Sequence, residues 1–513
     1  MTNASNDEEN RNRMAKSVAD ADADAVDDAK VLRSNGGGAK KAMKEGTREW
    51  ENRPRKRNVA FFYGYVGTGY LGSMINEDTA QGQTLEYVLF KGLHDMGGVL
   101  PTNFPDQKKV RVNRASRTDK GVHALANVMT LKLECPYNYW IDGKCGKELV
   151  EKVNDELPRK LRVFSVTPVT KGFAPRAFCN KRTYQFYIPA PVLGIAIDEN
   201  GECVSPAEVE KSLTDFNSNV LPLFCGFKPY HNFTERRLYT KKHRDKLKKR
   251  LYEKHDKVKR DRSAEGGGAA AEGGAEREER GEEPSTVGKE GGDSAEREVE
   301  VEKFCDNVRW FHTFNRKTKL DRSHYRHMHE VSCGARLTNL GKSDGEKRLA
   351  LRVTIQGESF MYHQIRHMVG LMIAAYRNMV PTNFISAVLS APANVSLPFA
   401  PAHTLVLKDL NFLPFAREDF KNRDEDDKLE MTPAGKEIQQ AFEVEQMLPA
   451  LGSFVDHEDW STFEEELKEW HGNLPEEQVA KFLATHETWS AALAKRKRER
   501  EREEMKERKE LKE

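Results

Sequence analysis

Stretches able to bury a core alternate along the chain with stretches that cannot. Residues up to about Asn52 are polar, charged and interrupted by Gly36-Gly37-Gly38, so no packed element is predicted there. Order is expected from Asn58, where Asn-Val-Ala-Phe-Phe-Tyr63 reads as a strand. It runs into Gly64-Tyr-Val-Gly-Thr-Gly-Tyr-Leu-Gly72, a tight loop suited to close approach by another backbone or by a phosphate. No Gly-Lys-Ser/Thr follows, so it is not a P-loop. Thr84 then caps a predicted helix with Leu85, Val88, Leu89 and Leu93 at helical spacing. Lys109–Val112 reads as a strand end, and Asn127–Leu133 as a strand with Met129, Leu131 and Leu133 on one side. Between them Arg114–Ala124 forms a charged loop that displays Asp119, with Gly121 available for unusual backbone angles.

The pattern continues with a helix stripe, Leu149, Val150, Val153 and Leu157, stopped by Pro158. Leu161–Val169 is a predicted strand, and Phe173–Ile188 runs into another with Tyr184, Phe186 and Ile188 on one face. Ser205-Pro-Ala-Glu208 starts a helix carrying Val209, Leu213, Phe216 and Val220. Phe224–Thr234 is a compact aromatic segment. Beyond it Lys241–Arg262 is densely basic and Ala264–Asp293 is Gly/Ala/Glu-rich, so an insertion is expected. Strands are predicted at His329–Leu337 and at Leu349–Gln356, the latter with Leu349, Leu351, Val353 and Ile355 inward. Ile365, Met368, Val369, Met372, Ile373 and Tyr376 form the stripe of a further helix, with Arg366 in its first turn and off the stripe. A helix from Thr382, a strand Leu405–Leu410 and amphipathic helices at Lys436–Leu448 and Trp460–Trp470 follow. Thr485–Glu513 alternates charge as a solvated single helix does.

Composition narrows the classes. Among 513 residues, 83 Lys+Arg nearly balance 81 Asp+Glu, so any nucleic-acid site must be a local basic face. Seven cysteines without a C-x-x-C pair suggest neither a disulfide framework nor a zinc site. The N-terminus lacks the apolar core of a signal peptide, and its acidic residues disfavour a mitochondrial presequence. No apolar run spans a bilayer, so no membrane association is expected. Arg53-Pro-Arg-Lys-Arg57 is a basic run of the nuclear-localisation or RNA-contacting kind. The expected location is the nucleus, with the cytoplasm as the alternative.

Four segments, in order, resemble one family. They are Gly67-Thr-Gly-Tyr-Leu-Gly72, Ala115-Ser-Arg-Thr-Asp-Lys-Gly-Val-His-Ala124, Lys181-Arg-Thr-Tyr184 and Gly357-Glu-Ser-Phe-Met-Tyr-His-Gln-Ile-Arg366. Together they are similar to TruA-type pseudouridine synthases, in particular the eukaryotic branch acting on tRNA. The resemblance covers about residues 57–410 apart from the insertion. Ala400-Pro-Ala-His-Thr404 departs from the Gly-Leu-Gly-like turn usual there. The resemblance implies an α+β fold: two pseudo-equivalent halves forming a central, mostly antiparallel sheet flanked by helices, an RNA cleft between them and a C-terminal helical extension. The expected divisions are a tail 1–56, a first catalytic half 57–235, an insertion 236–302, a second half 303–415, a helical extension 416–490 and a charged tail 491–513.

Turning uridine into pseudouridine breaks the C1′–N1 bond, rotates the uracil and joins C1′ to C5. It needs an ionised carboxylate near the sugar, and no redox step, metal or cofactor. The resemblance assigns that carboxylate to Asp119. Arg366 would keep it ionised in a closed pocket, since a guanidinium pairs bidentately with a carboxylate as Lys cannot. Tyr184 would stack on the uracil and take the C5 proton. Arg117 would replace the flipped base or hold a phosphate, and Lys120 and His123 would contact the RNA backbone or the loop. Phe360 and His363 are further expected substrate contacts. The implied partner is tRNA, other structured RNA such as small nuclear or messenger RNA being the alternative substrate, and the protein is expected to be a monomer. A catalytically inactive RNA-binding or tRNA-folding factor is the rival from another class.

Overall fold

The computed structural model describes residues 55–75, 82–135, 139, 146–235, 301–305, 308–311, 320, 322–341, 347–414 and 428–510. Most of the predicted N-terminal tail and of the insertion lies outside the described residues. In chain order the strands are β1 (Arg55–Tyr65), β2 (Asn113–Arg114), β3 (His123–Cys135), β4 (Leu161–Pro168), β5 (Cys179–Pro189), β6 (Gly226–Pro229), β7 (Val301–Cys305), β8 (Val308–Phe311), β9 (Tyr325–Cys333), β10 (Thr338–Asn339), β11 (Leu349–Gly357), β12 (Ala393–Val395) and β13 (Leu405–Phe412). The chain divides into two compact units. The first comprises Met1–Ser218, Met328–Ser359 and Pro401–Ser461, the second Asn219–His327, Phe360–Ala400 and Thr462–Glu513.

The first unit is built on a large, mostly antiparallel sheet in the order β4-β1-β3-β13-β5-β11-β9, with β2 on β3 and β10 on β11. Among the described residues of this sheet only β13 and β3 run parallel, at Val406↔His123 and Leu407↔Ala124. Val59 through Tyr63 of β1 and Ala124 through Met129 of β3 are buried without alternation, which requires cover on both faces. Part of that cover is the Pro433–Phe442 helix on β4, where the Phe164 and Phe442 rings lie 5.7 Å apart. Trp460 adds more, meeting Phe186 of β5 edge-on at 6.2 Å. This is the α+β architecture expected from the sequence.

The second unit contains the three-stranded sheet β12-β8-β7 and the Gln364–Tyr376 helix. Met368, Val369, Leu371, Met372 and Ile373 of that helix are fully buried. Trp310 of β8 is buried against Phe482 and Trp489 of the Glu476–Glu510 helix, with ring centres 5.6 and 5.9 Å away. Beyond Ala491 that helix is exposed as far as its side chains are described, as the charge alternation predicts. Among the described residues no helix is long and apolar enough to cross a membrane.

Three sequence expectations need correction. β1 begins at Arg55, inside the basic run and three residues before Asn58, because Arg55, Lys56 and Arg57 continue the ladder opposite Cys135, Glu134 and Leu133. Lys109–Val112 is a series of turns, with Arg111 in the left-handed region at φ 55° and Val112 N–H bonded back to Gln107 O at 3.1 Å. Only the two residues of β2 form a strand there. The strand predicted at His329–Leu337 lies four residues earlier, at Tyr325–Cys333, and the chain bends at Ala335 and Arg336.

Candidate active site

Asp119 sits on the β2–β3 loop, which is anchored along most of its length. At the root, Ala115 N–H donates to Val128 O at 2.9 Å, and Asn127 Nδ2 donates to Ser116 O at 3.0 Å. Thr118 is locked to Ser73: its N–H donates to Ser73 Oγ at 2.9 Å and its carbonyl accepts from Ser73 N–H at 3.1 Å. The Thr118 hydroxyl also meets the Tyr65 phenol at 2.7 Å. After Asp119, its own carbonyl accepts from Val122 N–H at 3.2 Å, and Gly121 adopts φ +82°. A side chain at Gly121 would be strained and would also strike the His403 ring, 2.9 Å away. Every anchor is backbone or a buried or short side chain, so the loop presents Asp119 with little freedom.

The glycine loop is the other half of this support. A Cβ on Gly67 would lie 2.1 Å from Val122 O, so the two loops touch backbone to backbone. Of the two partners the glycines suit, the structure supplies another backbone.

Tyr184 projects from the middle of β5, paired with Ile355 of β11 and Leu407 of β13. It is 6% exposed, and its hydroxyl lies 3.2 Å from Ser116 Oγ. Burial pushes the phenol up; the Ser116 hydrogen bond and the Arg182 charge oppose this, and the Asp119 charge adds to it. Asp119 and Tyr184 are thus electrostatic neighbours within the first unit. Asp119 is half-buried, whereas Arg117 and Lys120 on the same loop are exposed to solvent.

Of the two contacts expected of His123, RNA or the loop, burial leaves the loop. The ring is fully buried. Gly67 N–H donates to Nδ1 at 3.1 Å, and Nε2 donates to His403 O at 2.8 Å. Burial pushes its pKa down to about 4, helped by the His403 and Lys160 charges and partly opposed by the bond to His403. His123 is therefore a neutral clamp joining the glycine loop, the start of β3 and the turn before β13. The signal was in the sequence, since Val122, Ala124, Leu125 and Ala126 surround it with apolar residues.

Sequence reasoning passed over two residues. Arg182 is 8% exposed, and its guanidinium donates to Ala115 O at 3.1 Å, Cys179 O at 3.3 Å, Arg176 O at 3.4 Å and Glu358 O. It ties the root of the Asp119 loop to the ends of β5 and β11. Its parity with Tyr184 along β5 placed it on the same buried face. His403, in the segment that departs from the family pattern, stacks on Phe454 at 4.8 Å and pairs through Nδ1 with Asp459 Oδ2 at 2.5 Å. His457 Nδ1 lies 3.5 Å from the other Asp459 oxygen. These three side chains are of metal-ligating type and lie within 4.8 Å of one another, with the carboxylate and imidazoles paired among themselves.

The second unit gathers Arg366, His363 and Phe360. Arg366 is the third residue of the Gln364–Tyr376 helix and is half-buried. Its Nε donates to Ala400 O at 2.5 Å, its own carbonyl accepts from Ala400 N–H at 3.3 Å, and its Cζ lies 3.5 Å from the Phe399 ring centre. His363, just before the helix at φ 65°, lies between Tyr362 at 3.6 Å and Phe399 at 4.6 Å. Its burial, then the Arg366 and His367 charges, push its pKa down to about 4, so it is neutral. Phe360 is half-buried in the bend leading to it.

Comparison with known proteins finds one kind of enzyme repeatedly. A family model described as tRNA pseudouridine synthase matches residues 308–412. The chain is 29% identical over 367 residues to a tRNA pseudouridine synthase 1 of Yarrowia lipolytica, covering 70% of this chain and 64% of that protein. It is 40% identical over 139 residues to tRNA pseudouridine synthase 1 of Schizosaccharomyces pombe, a match covering 27% of this chain and 24% of the relative. With tRNA pseudouridine synthase 2 of the same yeast it shares 26% identity over 399 residues, covering 72% and 79% of the two chains. The match to the first two relatives thus spans less than two thirds of their length.

Proposed function

We propose that the chain is a TruA-type pseudouridine synthase that isomerises uridines in tRNA to pseudouridine, with Asp119 as the reactive carboxylate. The supporting observation is the loop itself: a half-buried carboxylate displayed from a backbone fixed by Ser73, Tyr65 and Asn127, with the buried Tyr184 hydroxyl in its field. In the reaction the C1′–N1 electron pair leaves with the uracil. Asp119 either forms a transient bond to C1′ or removes the C2′ proton, and both routes need it ionised. The uracil turns and C5 bonds to C1′, displacing the Asp119 carboxylate or, on the other route, as Asp119 returns the proton to C2′; the C5 proton then departs and N1 gains one. Composition and oxidation state are unchanged, so no cofactor enters the scheme.

The other residues take roles that suit their surroundings. The family resemblance gives Arg366 the role of the cation that favours the charged form of the reactive carboxylate. Burial holds Tyr184 as a neutral phenol beside Ser116; its ring stacks on the base, and its hydroxyl relays the proton from C5 to N1, taking one as it gives its own. Arg117 and Lys120, exposed on the loop, take RNA phosphates or the gap left by the flipped base. Phe360 contacts the extruded nucleotide. His363, neutral and held between rings, braces the same segment.

The test is release of tritium from tRNA labelled at uridine C5, comparing wild type with Asp119→Asn. We expect the variant to fold, bind tRNA and release nothing; product above background would overturn the assignment. Arg366→Lys should lower turnover by at least about a hundredfold, because an ammonium cannot reproduce the fork. Wild-type protein that retains tRNA without turning it over would instead identify an RNA-binding factor.

A further inference from the structure

Arg366 belongs to a structure that exceeds what an arginine in a first helical turn requires. The segment Leu397–Ala400 lies along the N-terminal half of the Gln364–Tyr376 helix and is docked at three levels. Gly370 lets it approach: a Cβ there would be 2.5 Å from Pro398 O. One turn earlier, His367 Nδ1 lies 3.1 Å from the same carbonyl. At the helix start, Ala400 is bonded to Arg366 twice, through the Arg366 carbonyl and through Nε. Between these anchors the Phe399 ring faces the guanidinium, His363 and His367, with centres 3.5, 4.6 and 4.8 Å away.

An arginine side chain has four rotatable bonds, and burial alone does not select one orientation. Here Nε is fixed by the Ala400 carbonyl and the guanidinium plane is supported by an aromatic face. With Nε committed, the edge that can fork onto an oxyanion is the Nη1/Nη2 edge. Neither neighbouring imidazole competes for the ring as a cation, since burial pushes the pKa of both His363 and His367 down. We propose that Phe399 is a positioning residue: its ring and the Ala400 carbonyl together fix the direction in which Arg366 presents that edge. The inference rests on the catalytic role given to Arg366 above.

The test uses the full chain. Phe399→Leu should lower kcat at least about tenfold with the tRNA KM and Tm near wild type, as displacement of a reacting group costs rate rather than affinity. Phe399→Tyr, which keeps the ring, should restore turnover. In an Arg366→Lys background, Phe399→Leu should cost nothing further, because it acts through the guanidinium. A kcat within twofold of wild type for Phe399→Leu, or losses that multiply in the double variant, would overturn the proposal. A readout independent of turnover is the Arg366 Nε–H resonance, which the ring current should displace in wild type and not in Phe399→Leu. No difference between the two would also overturn it. Wild type that shows the ring-current displacement but no turnover would sink the role of Arg366 in isomerisation while leaving the positioning intact.

Discussion

Acidification should loosen the Asp119 loop through His123. The imidazole is fully buried, accepts from Gly67 N–H and donates to His403 O. A proton added at Nδ1 would face the Gly67 N–H, donor against donor, in a fully buried site. The folded protein therefore favours neutral His123, whose pKa falls from 6.5 to about 4, while in the unfolded chain the ring titrates near its ordinary value. The contribution is fully present above about pH 6.5, is lost progressively as pH falls, and is gone near pH 4. At about 1.4 kcal/mol per pH unit, the whole window is worth about 3 kcal/mol, of which about 2 kcal/mol disappears by about pH 5. Urea unfolding of the full chain, followed at steps from about pH 7.5 to 4.5, measures the total. The same series for His123→Gln removes this titration and leaves the others. The difference between the two slopes should have the stated sign and size. Parallel curves would refute the clamp, as would an NMR titration placing the His123 pKa near 6.5.

Other outcomes follow from the same loop and its supports. Arg182→Met leaves several carbonyls without their charged donor, among them Ala115 O, and should cost at least about 3 kcal/mol and most turnover; a loss under about 1 kcal/mol would show the hub to be dispensable. Gly67→Ala sets a methyl against Val122 O, so the two loops must part, and a variant with wild-type Tm and turnover would contradict the contact. Lys120→Ala should raise the tRNA KM a few-fold with kcat unchanged and reduce the salt slope of binding by about one, and an unchanged slope would remove Lys120 from the phosphate contacts.

Much of the framework was legible because burial writes a period into the sequence. Tyr184, Phe186 and Ile188 announced the inner face of β5, and the apolar stripe after Arg366 announced its helix. Where the signal was lost, a different force decided. Arg55–Arg57 look like a solvated tail, yet the backbone ladder opposite Leu133–Cys135 extends β1 through them whatever the side chains. Lys109–Val112 has strand-like residues, but Arg111 turns the chain into a left-handed conformation. Asp119 was conspicuous only through its motif. Its rigidity comes from Ser73, Tyr65 and Asn127, distant in sequence and unremarkable in type. For His123 the sequence left RNA and the loop both open, and the apolar residues around it decide for the loop.

The parallel pairing of β13 with β3 has a consequence for how the protein is made. β13 lies between β3 and β5, yet it leaves the ribosome more than two hundred residues after either. Until then β3 and β5 each present an open hydrogen-bonding edge, and His123 waits for a carbonyl 280 positions further along the chain. Vectorial synthesis therefore closes the middle of this sheet last, so the loop carrying Asp119 acquires its final support only after β13 has emerged. A nascent chain arrested before Leu405 should be cut by protease within β3 and β5, and one arrested well after Phe412 should resist. Equal resistance at both lengths would mean that the sheet closes by some other order.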